Sequence, residues 1–375
     1  MAAIWIGLHL YAGRPLVAAA RAGGIAPLFI YALLVALSAV SVLPMFAKRT
    51  DPLRRRTAAH WIGYATMSLF ATLLVLVLLS DVVRLSYCAL QALVATHAWP
   101  LISVPRLSAG ILGGALALFL VGLVQARRPA IRTLNVPIEN LPAELDGYRI
   151  VQWSDVHVGP TIQRGFVASL VERTNALNAD AIAITGDLID GYLEDLRDEV
   201  QPLRDLRARD GVFYVTGNHE YYWRASEWVR EIAALGLTFL KNEHRVVTRG
   251  NAQIVFAGVT DPAGRYTHKT NPDAAMFGAP RDAVKIMLAH RPQNASAASR
   301  LGVDLQLSGH THGGQFFPFN VIIRWFQPVV SGLHRVGATW LYVSRGTGYW
   351  GPPSRLGVGG EISVIVLRQS PGVRS

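Results

Sequence analysis

Residues able to bind metal ions follow five short apolar runs in the second half of the chain. They are Asp155, His157, Asp187, Asn218, His290, His310 and His312. Imidazoles suit zinc, iron and manganese, and a carboxylate is a hard ligand that can bridge two cations. The sequence has a single cysteine, Cys88, which excludes a disulfide framework, a cysteine-based zinc site and an iron–sulfur cluster. The set therefore indicates a site with nitrogen and oxygen ligands for two adjacent divalent cations.

Each of these motifs taken alone has an ordinary structural interpretation. Asp-x-His at 155–157 is more often a helix cap beside a surface histidine, and Gly-Asp-x-x-Asp at 186–190 is usually a turn. Gly-His-Thr-His at 309–312 is more informative, because two imidazoles so close in sequence rarely serve packing. The order of all five motifs after successive apolar runs is what makes the metal interpretation specific.

The chain around these residues alternates β-rich runs with amphipathic helical patterns. Strands are predicted at residues 149–153, 181–185, 212–216, 253–258, 285–289 and 304–307, and helices at 166–177, 194–206 and 226–235. This alternation predicts an α/β fold, in which ligands collect at the carboxyl ends of the strands. The metal-binding side chains should therefore meet along one edge of the sheet.

The composition points to a membrane region in the first third of the chain. The 375 residues are 51% hydrophobic and only 16% charged, which excludes a disordered chain. Residues 1–128 contain 11 basic and two acidic residues, a net charge of +9, whereas the remainder contributes only +2 of the total +11. Because the basic excess lies beside long apolar runs, it indicates membrane orientation, and nucleic acid is not expected as a partner.

Three charge-free apolar runs, at residues 25–47, 62–80 and 107–126, approach the ~20 residues that a helix needs to cross a bilayer. Residues 2–20 are ambiguous, because Arg14 and Pro15 interrupt them. Residues 85–104 are also ambiguous, because only residues 81–84 separate them from the preceding run, which is tight for a hinge between two full antiparallel spans. They are interpreted as an interfacial or re-entrant connection. The three runs hold no acidic residue, which disfavours a transport role. We therefore predict a multi-pass membrane region over residues 1–128.

Basic residues predict the orientation of these spans. Lys48, Arg49 and the three arginines at 54–56 follow the first run, and Arg127 and Arg128 follow the last. Such clusters favour the cytoplasmic side, so the second half of the chain is expected at the cytoplasmic face of the cell (inner) membrane. If residues 85–104 also cross the bilayer, that half faces outward instead.

The five motifs resemble those of the calcineurin-like metallophosphoesterases, from about residue 145 to 367. The matching stretches are DVH at 155–157, GDLID at 186–190, GNHE at 217–220, AHRP at 289–292 and GHTH at 309–312. With its membrane segments, the chain looks most like the membrane-tethered YkuE/YaeI-like branch. The resemblance implies a four-layer α-β-β-α sandwich over residues 148–368, after a linker at 129–147 and before a tail at 369–375.

The resemblance also implies two divalent metal ions, which are manganese, iron or zinc in the family. Asp155, His157, Asp187 and His312 would hold one ion, and Asp187, Asn218, His290 and His310 the other. Two bridged cations lower the pKa of a shared water, so hydroxide is available near neutral pH for attack on phosphorus. His219 matches a family histidine that contacts phosphate and protonates the leaving group. Asp190 and Glu220 are expected to orient ligands or cap helices.

The implied activity is hydrolysis of a phosphoester or pyrophosphate bond. A phosphorylated small molecule, or a lipid-linked one such as UDP-diacylglucosamine, is the expected substrate, and the lipid bilayer is the expected partner. Four residues are candidates to bind it: Arg291, Tyr221, Arg345 and Tyr349. Two alternatives stay open: a phosphodiesterase for soluble substrates, and a membrane sensor or transport module with an accessory phosphoesterase domain.

Overall fold

The computed structural model describes residues 2–46, 53–94, 103–265 and 268–370. The chain divides into two compact units. The first, helical unit comprises residues up to 124 together with 351–356, and the second, α/β unit comprises residues 125–350 together with those from 357 onward.

In the described residues, the helical unit contains six helices. They are α1 (Ala2–Ala12), α2 (Arg14–Ala22), α3 (Pro27–Val40), α4 (Leu43–Phe46), α5 (Leu53–Val94) and α6 (Val104–Arg127), the last of which ends inside the α/β unit. Two stretches within them are long and apolar enough to cross a membrane, Thr57–Leu93 in α5 and Val104–Arg127 in α6. Pro15 lies in the first turn of α2, where a missing backbone N–H leaves no intrahelical bond unmade.

Two predictions about this region differ from the structure. The run at 25–47 contains α3, whose 14 residues extend about 21 Å and so fall short of the ~30 Å hydrocarbon core. The predicted separation of residues 85–104 from the run at 62–80 is wrong, because α5 continues through residues 81–84 to Val94. Residues 85–94 of the predicted connection are therefore part of α5. Its residues 95–102 lie outside the described residues.

The charged residue Asp81 does not end helix α5, because its carboxylate is paired with other side chains. Its carboxylate accepts hydrogen bonds from the Tyr11 hydroxyl and the Arg14 guanidinium, at 2.5 Å each. A charge that is paired in this way can be accommodated within a long apolar helix. Asp81 lies inside the candidate span Thr57–Leu93, one residue beyond the predicted run at 62–80, which itself holds no acidic residue.

The described part of the α/β unit contains twelve strands in two six-stranded sheets. The strands are β1 (Ala130–Ile138), β2 (Arg149–Trp153), β3 (Ala181–Thr185), β4 (Val212–Val215), β5 (Thr238–Phe239), β6 (Glu243–Arg249), β7 (Ala252–Val259), β8 (Val284–Ala289), β9 (Leu305–Ser308), β10 (Gly332–Val336), β11 (Thr339–Val343) and β12 (Glu361–Gln369). The first sheet has the order β1-β12-β2-β3-β4-β5, and the second has the order β10-β11-β9-β8-β7-β6. The neighbours β2, β3 and β4 are parallel, as are β7, β8 and β9.

Among the residues that the structure describes, seven α-helices accompany the sheets: α7 (Arg164–Asn175), α8 (Leu193–Val200), α9 (Asn218–Tyr222), α10 (Ala225–Ala234), α11 (Pro272–Met276), α12 (Ala295–Arg300) and α13 (Phe319–Ile322). One core lies between the two sheets, where Ile150 and Phe213 of the first pack in one cluster with Phe256 of the second. A second core joins the first sheet to α7, α8 and α10, and a third joins the other sheet to α11 and α12. The two mixed sheets and their flanking helices are consistent with the expected four-layer α-β-β-α sandwich.

The predicted linker at 129–147 contains β1, which pairs in parallel with β12 along its whole length. Pro129, Pro137 and Pro142 suggested a linker in the sequence. Because β1 is an edge strand, Pro137 can lie in it without removing a hydrogen bond from the sheet interior. The α/β unit therefore begins before residue 148, close to the end of α6.

Candidate metal centre

The predicted ligands lie in loops that follow the carboxyl ends of five strands. Asp155 and His157 follow β2, Asp187 follows β3 and Asn218 follows β4 in the first sheet. His290 follows β8, and His310 with His312 follows β9 in the second sheet. Parallel neighbouring strands end at the same edge of a sheet, so these loops converge.

One group of donors comprises Asp155, His157 and His312. Their ligand atoms all lie within 4.8 Å of one another. The Nε2 atoms of His157 and His312 are 3.1 Å apart, and His312 Nε2 is 3.4 Å from Asp155 Oδ1. Two imidazole nitrogens and a carboxylate oxygen thus surround a space of the size that one small cation requires.

A second group comprises Asp187, His290 and His310, again within 4.8 Å. His290 Nε2 is 3.2 Å from both Asp187 Oδ2 and His310 Nδ1. The other ring nitrogen of His290, Nδ1, is 2.9 Å from the Thr185 carbonyl oxygen, to which it can donate a hydrogen bond. That bond would leave Nε2 as the lone-pair donor to a cation, a common arrangement for metal-binding histidines.

Asp187 belongs to both neighbourhoods. Its Oδ2 atom is 3.9 Å from His157 Nε2 and 3.2 Å from His290 Nε2, while its Oδ1 atom accepts a hydrogen bond from the His219 backbone N–H. One carboxylate oxygen is thus fixed by the backbone, and the other faces imidazoles of both groups. This is the placement that a bridging ligand needs.

Asn218 provides a direct test of whether these residues fit metal ions. Its side chain is 6% exposed, and its Oδ1 atom is buried without a hydrogen-bond partner among the described residues. An unsatisfied buried amide oxygen costs about 1–3 kcal/mol, so such groups normally have a partner. A cation would supply that partner, so this orphaned oxygen and the facing imidazole nitrogens fit the binding of metal ions.

Burial and neighbouring charge give the histidines distinct protonation properties. Burial and the nearby His219 lower the pKa of His157 to about 3, and burial and His290 lower the pKa of His310 to about 4. Burial opposes protonation of His290 as well, but the Asp187 carboxylate outweighs it and raises the pKa of His290 to about 10. His290 in turn holds the pKa of Asp187 well below its usual range, against the effect of burial. His157 and His310 are therefore neutral at pH 7, as metal ligands must be. The Asp187 carboxylate instead favours the protonated ring of His290, so a cation bound there would replace a proton.

The backbone at the ligands is strained. Asp155, His157, Asp187, His310 and His312 all have φ between 49° and 72°, and only five other non-glycine residues in the described part of the chain have positive φ. Such conformations cost free energy for residues with a Cβ, and they cluster at functional sites because the surrounding structure holds them.

Glycine at two positions allows the loops to approach the ligands. A Cβ on Gly217 would collide with the Asp187 carboxylate, and a Cβ on Gly309 would collide with Ser154 Oγ and the Asp155 carboxylate. These loops therefore require glycine for space beside the donors, whatever their backbone angles.

His219 lies beside the first group and is oriented by Asp190. His219 Nδ1 is 2.9 Å from Asp190 Oδ1, which also accepts a hydrogen bond of 2.8 Å from Trp223 Nε1. Burial opposes protonation of His219, but Asp190 and Asp187 outweigh it and raise its pKa. Because Nδ1 is engaged by Asp190, Nε2 is the atom available for a substrate or a cation. His219 also forms a geometric group with His157 and Asp187 that could hold an ion.

Glu220 fixes the loops that carry Asp187 and Asn218. Its Oε2 atom accepts hydrogen bonds from the backbone N–H groups of Gly217 (2.6 Å) and Asp187 (3.1 Å), and its Oε1 atom accepts one from Leu188 (2.7 Å). The side chain is fully buried, and burial together with the Asp187 charge raises the pKa of Glu220 to about 7. Its role is thus to position the ligand loops.

Two of the predicted substrate-binding residues are engaged by other side chains. The Arg291 guanidinium forms a two-point ion pair with the buried Asp261 carboxylate, at 2.7 and 3.2 Å. The Tyr221 hydroxyl is 3.0 Å from Thr216 Oγ1 and 3.1 Å from His268 Nδ1. These contacts tie the loops after β4, β7 and β8 to one another.

The other two lie in the loop after β11. The Arg345 guanidinium donates to the Val358 carbonyl oxygen at 3.0 Å. Tyr349 is 1% exposed, and its hydroxyl donates to the Thr161 carbonyl oxygen at 3.2 Å. The buried position of Tyr349 does not offer its ring to a substrate, contrary to the prediction.

Two exposed aromatic residues, Tyr222 and Trp350, lie beside His219. Tyr222 is 61% exposed and Trp350 is 53% exposed, and their rings lie 5.0 and 5.6 Å from the His219 ring. Trp350 is held by Gln315, whose side chain forms hydrogen bonds with the Trp350 backbone N–H and carbonyl groups at 2.9 Å each. Trp350 lies in the glycine-rich loop after β11, one residue after Tyr349.

Comparison with known proteins identifies the family of this domain. Residues 148–314 match the sequence profile of the calcineurin-like phosphoesterases. A *Bos taurus* protein described as a transmembrane protein with metallophosphoesterase domain is 39% identical over 269 residues, which cover 68% of this chain and 61% of that protein.

Bacterial proteins are similar over the same part of the chain. A metallophosphoesterase from *Helicobacter pylori* strain J99 is 37% identical over 244 residues, covering 64% of each chain. The metallophosphoesterase YkuE of *Bacillus subtilis* is 27% identical over 245 residues, covering 61% of this chain and 82% of that protein. The chain spans 61% and 60% of the length of its relatives from *Bos taurus* and *Danio rerio*. The α/β unit is therefore a calcineurin-like metallophosphoesterase domain and belongs to a family of phosphoester hydrolases.

Proposed function

We propose that this protein is a membrane-bound phosphoesterase that uses two divalent cations to hydrolyse phosphoester or pyrophosphate bonds. The observation that carries the proposal is the position of Asp187 Oδ2 between imidazoles of two donor groups, 3.9 Å from one and 3.2 Å from the other. The unsatisfied Oδ1 atom of Asn218 supports the same conclusion.

Two bound cations would act as Lewis acids that activate a water and offset the charge developing on phosphoryl oxygens. The chain's own part is to hold the donors. Asp155, His157 and His312 would bind one cation, Asn218, His290 and His310 the other, and Asp187 would contact both. Glu220 keeps the loops of Asp187 and Asn218 in place through their backbone N–H groups.

His219 would bind a phosphoryl oxygen and donate a proton to the leaving group from Nε2. The Asp190 carboxylate engages Nδ1 and favours the protonated ring, so the proton is available on the opposite nitrogen. An acid with a pKa near the working pH is the most effective proton donor. This gives Asp190 a positioning role in the reaction.

The proposed substrate is lipid-linked, with UDP-diacylglucosamine as an example of a pyrophosphate in such a molecule. Support comes from the two apolar helices and from the exposed rings of Tyr222 and Trp350 beside His219, which suit an apolar group next to phosphate. A soluble phosphodiester is the alternative substrate class. A higher rate on micellar than on monomeric substrates would favour the lipid class, and equal rates would favour the soluble one.

We also propose that the domain lies on the cytoplasmic face of the inner membrane, in a multi-pass arrangement. Basic residues precede α5 and follow α6, and two crossings return the chain to the same side. The continuity of α5 through Asp81 supports this count, because residues 85–94 extend one helix and do not form a separate antiparallel span. A reporter fused after Ser375 tests the orientation, and extracytoplasmic activity of that reporter would contradict it.

The decisive experiment uses the full chain purified in detergent. We expect about two equivalents of divalent metal by mass spectrometry, and hydrolysis of bis-p-nitrophenyl phosphate after loading with manganese. The Asp187→Asn variant should lose metal and hydrolysis together, whereas Asp198→Asn, an exposed change in α8, should keep both. Normal hydrolysis by Asp187→Asn would refute the assignment.

A sensing role for the helical unit is the second candidate, and Asp81 is the observation that favours it. A paired acid inside a candidate membrane span is uncommon and often functional. If the Asp81→Asn variant has altered hydrolysis with unchanged metal content, the helices regulate the domain. Unchanged hydrolysis would leave them as an anchor.

A further inference from the structure

An exposed aromatic segment follows the metal ligands in the second sheet. We define it as residues 317–326, which contain α13 and the helical turn that follows. Its exposed members are Phe317 (39%), Phe319 (52%), Val321 (49%), Trp325 (79%) and Phe326 (76%). Single exposed apolar residues are common on protein surfaces, but five within ten positions mark an interaction surface.

The aromatic segment lies next to the metal centre. It begins five residues after His312 in the chain, and Gln315 between them holds Trp350, whose ring is 5.6 Å from His219. A Cβ placed on Gly314 would collide with the backbone of Asn320 in α13, so the ligand loop and α13 are in direct contact. A surface that binds the aromatic segment would therefore lie beside the reacting groups.

The same edge of the domain receives the chain from α6. Only Arg128 and Pro129 separate the end of α6 from β1, and the first residue of β1, Ala130, donates a backbone hydrogen bond of 2.8 Å to Gly360. Two residues before Gly360, the carbonyl of Val358 binds the Arg345 side chain, and Val358 Cγ1 would lie 2.9 Å from a Cβ on Gly313.

A short stretch thus joins the start of the domain to the metal-ligand loop. Gly357, which is near the Asn320 side chain, is three positions before Gly360 in the chain, so these two points are at most about 11 Å apart. The aromatic segment and the point where the chain arrives from its last membrane-length helix consequently share one edge of the domain.

We propose that the aromatic segment is a docking surface for the lipid bilayer, which holds the mouth of the metal centre at the membrane surface. Tryptophan and phenylalanine rings partition into the headgroup region, and the exposed Arg324 between them can reach lipid phosphates. The two-residue connection to α6 keeps the domain within reach of the bilayer, which is why a lipid surface is the occupant and not a soluble protein.

A lipid-linked substrate would then reach His219 and the metal ligands without leaving the bilayer, a consequence that rests on the proposed function. Docking of the aromatic segment on the bilayer does not depend on the proposed function, because it concerns only contact between the protein surface and the lipid. Its test accordingly uses a readout that does not require hydrolysis.

The experiment places a fluorescent label on the aromatic segment of the full chain in proteoliposomes. Phe326→Cys is made in a Cys88→Ala background, labelled with an environment-sensitive dye, and reconstituted in phosphatidylcholine with or without brominated acyl chains. Phe277→Cys is the matched control, because Phe277 is 86% exposed and lies in a different loop, between α11 and β8. Aqueous iodide is added to each sample as a second quencher.

We expect brominated lipid to quench the label at 326 at least about twofold more than the label at 277, and iodide to show the reverse order. Equal quenching by brominated lipid at both positions, with full access to iodide, would overturn the proposal. Protection of position 326 from both quenchers would also overturn it, in favour of a protein partner such as a second copy of the chain.

A kinetic comparison separates docking from the proposed activity. The double variant Trp325→Ser/Phe326→Ser should hydrolyse a vesicle-embedded phosphodiester about tenfold more slowly, because two rings no longer contribute to surface binding. Its rate on soluble bis-p-nitrophenyl phosphate should match that of the parent and of Phe277→Ser. An equal loss on both substrates would contradict docking, whereas failure of every protein to hydrolyse either substrate would contradict the proposed function and leave the quenching result to decide this inference.

Discussion

Replacement of Asp190 by asparagine tests how the domain prepares its proton donor. Asp190 Oδ1 lies 2.9 Å from His219 Nδ1, and the His219 side chain is only 8% exposed. The variant keeps the size of the side chain and an acceptor oxygen, but it removes the negative charge that favours a protonated ring. Trp223 Nε1 can still donate to the amide oxygen, so the loop should keep its shape.

The magnitude follows from that one hydrogen bond. A hydrogen bond to a charged group contributes about 1.5–3 kcal/mol, which corresponds to a factor of about 10 to 100 in an equilibrium constant. Asp190 raises the pKa of His219, so its loss should lower that pKa and move the alkaline limb of the rate profile to lower pH. Above the new pKa the rate should fall by about 10- to 100-fold, and at acidic pH, where the ring is protonated in both proteins, it should recover.

The assay compares two phosphodiesters with different leaving groups. A p-nitrophenolate departs without protonation, whereas an alkoxide requires a proton, so Asp190→Asn should affect the alkyl ester far more than the aryl ester. Asp198→Asn in α8 is the control, and metal content is measured in all samples. Equal losses on both esters, or loss of bound metal from Asp190→Asn, would refute the role of Asp190 as a positioning residue for a general acid.

Three further outcomes are expected. His219→Ala should keep its metal content but lower turnover by a factor of about 10²–10⁴, measured by steady-state hydrolysis; loss of an ion would show that His219 is a ligand. Glu220→Gln should lower the thermal unfolding midpoint followed by circular dichroism. In the parent, backbone N–H groups donate to the Glu220 carboxylate, and in the variant the amide NH₂ group would face such donors without accepting from them; an unchanged midpoint would contradict that account. Gly309→Ala should impair metal binding, measured by mass spectrometry, because the added methyl group would occupy the space of the Asp155 carboxylate; full metal content would show that the loop can shift.

The sequence was informative about the site because each ligand directly follows an apolar run. The strands predicted at 149–153 and 181–185 coincide with β2 and β3, and the donors after them lie where parallel strands end. Buried parallel strands have continuous apolar runs, so both their position and their ends can be recognised without a partner strand. The loops carry the donors, and a correct strand end is enough to place them.

Edge elements could not be predicted in the same way. β1 contains Pro137 and exposed polar positions, and it is a strand because β12, more than 220 residues later, pairs with it. The helix through Asp81 is a similar case, since Tyr11 and Arg14 pair with that carboxylate from about 70 residues away. In both cases the deciding interaction is distant in sequence, and local patterns do not contain it.

The substrate-binding residues show the same limit at the level of single side chains. Arg291 has the charge to bind phosphate, yet Asp261 engages it with two hydrogen bonds before any substrate arrives. Residue type and motif position do not reveal such a partner, because Asp261 follows a different strand, β7. The motif correctly placed Arg291 in a loop that carries a predicted metal ligand, His290. The side chain that lies beside His219 is the exposed Trp350, in the glycine-rich loop after β11. Substrate contacts in this domain are therefore better sought among exposed rings next to His219 than among basic residues that adjoin the ligands in sequence.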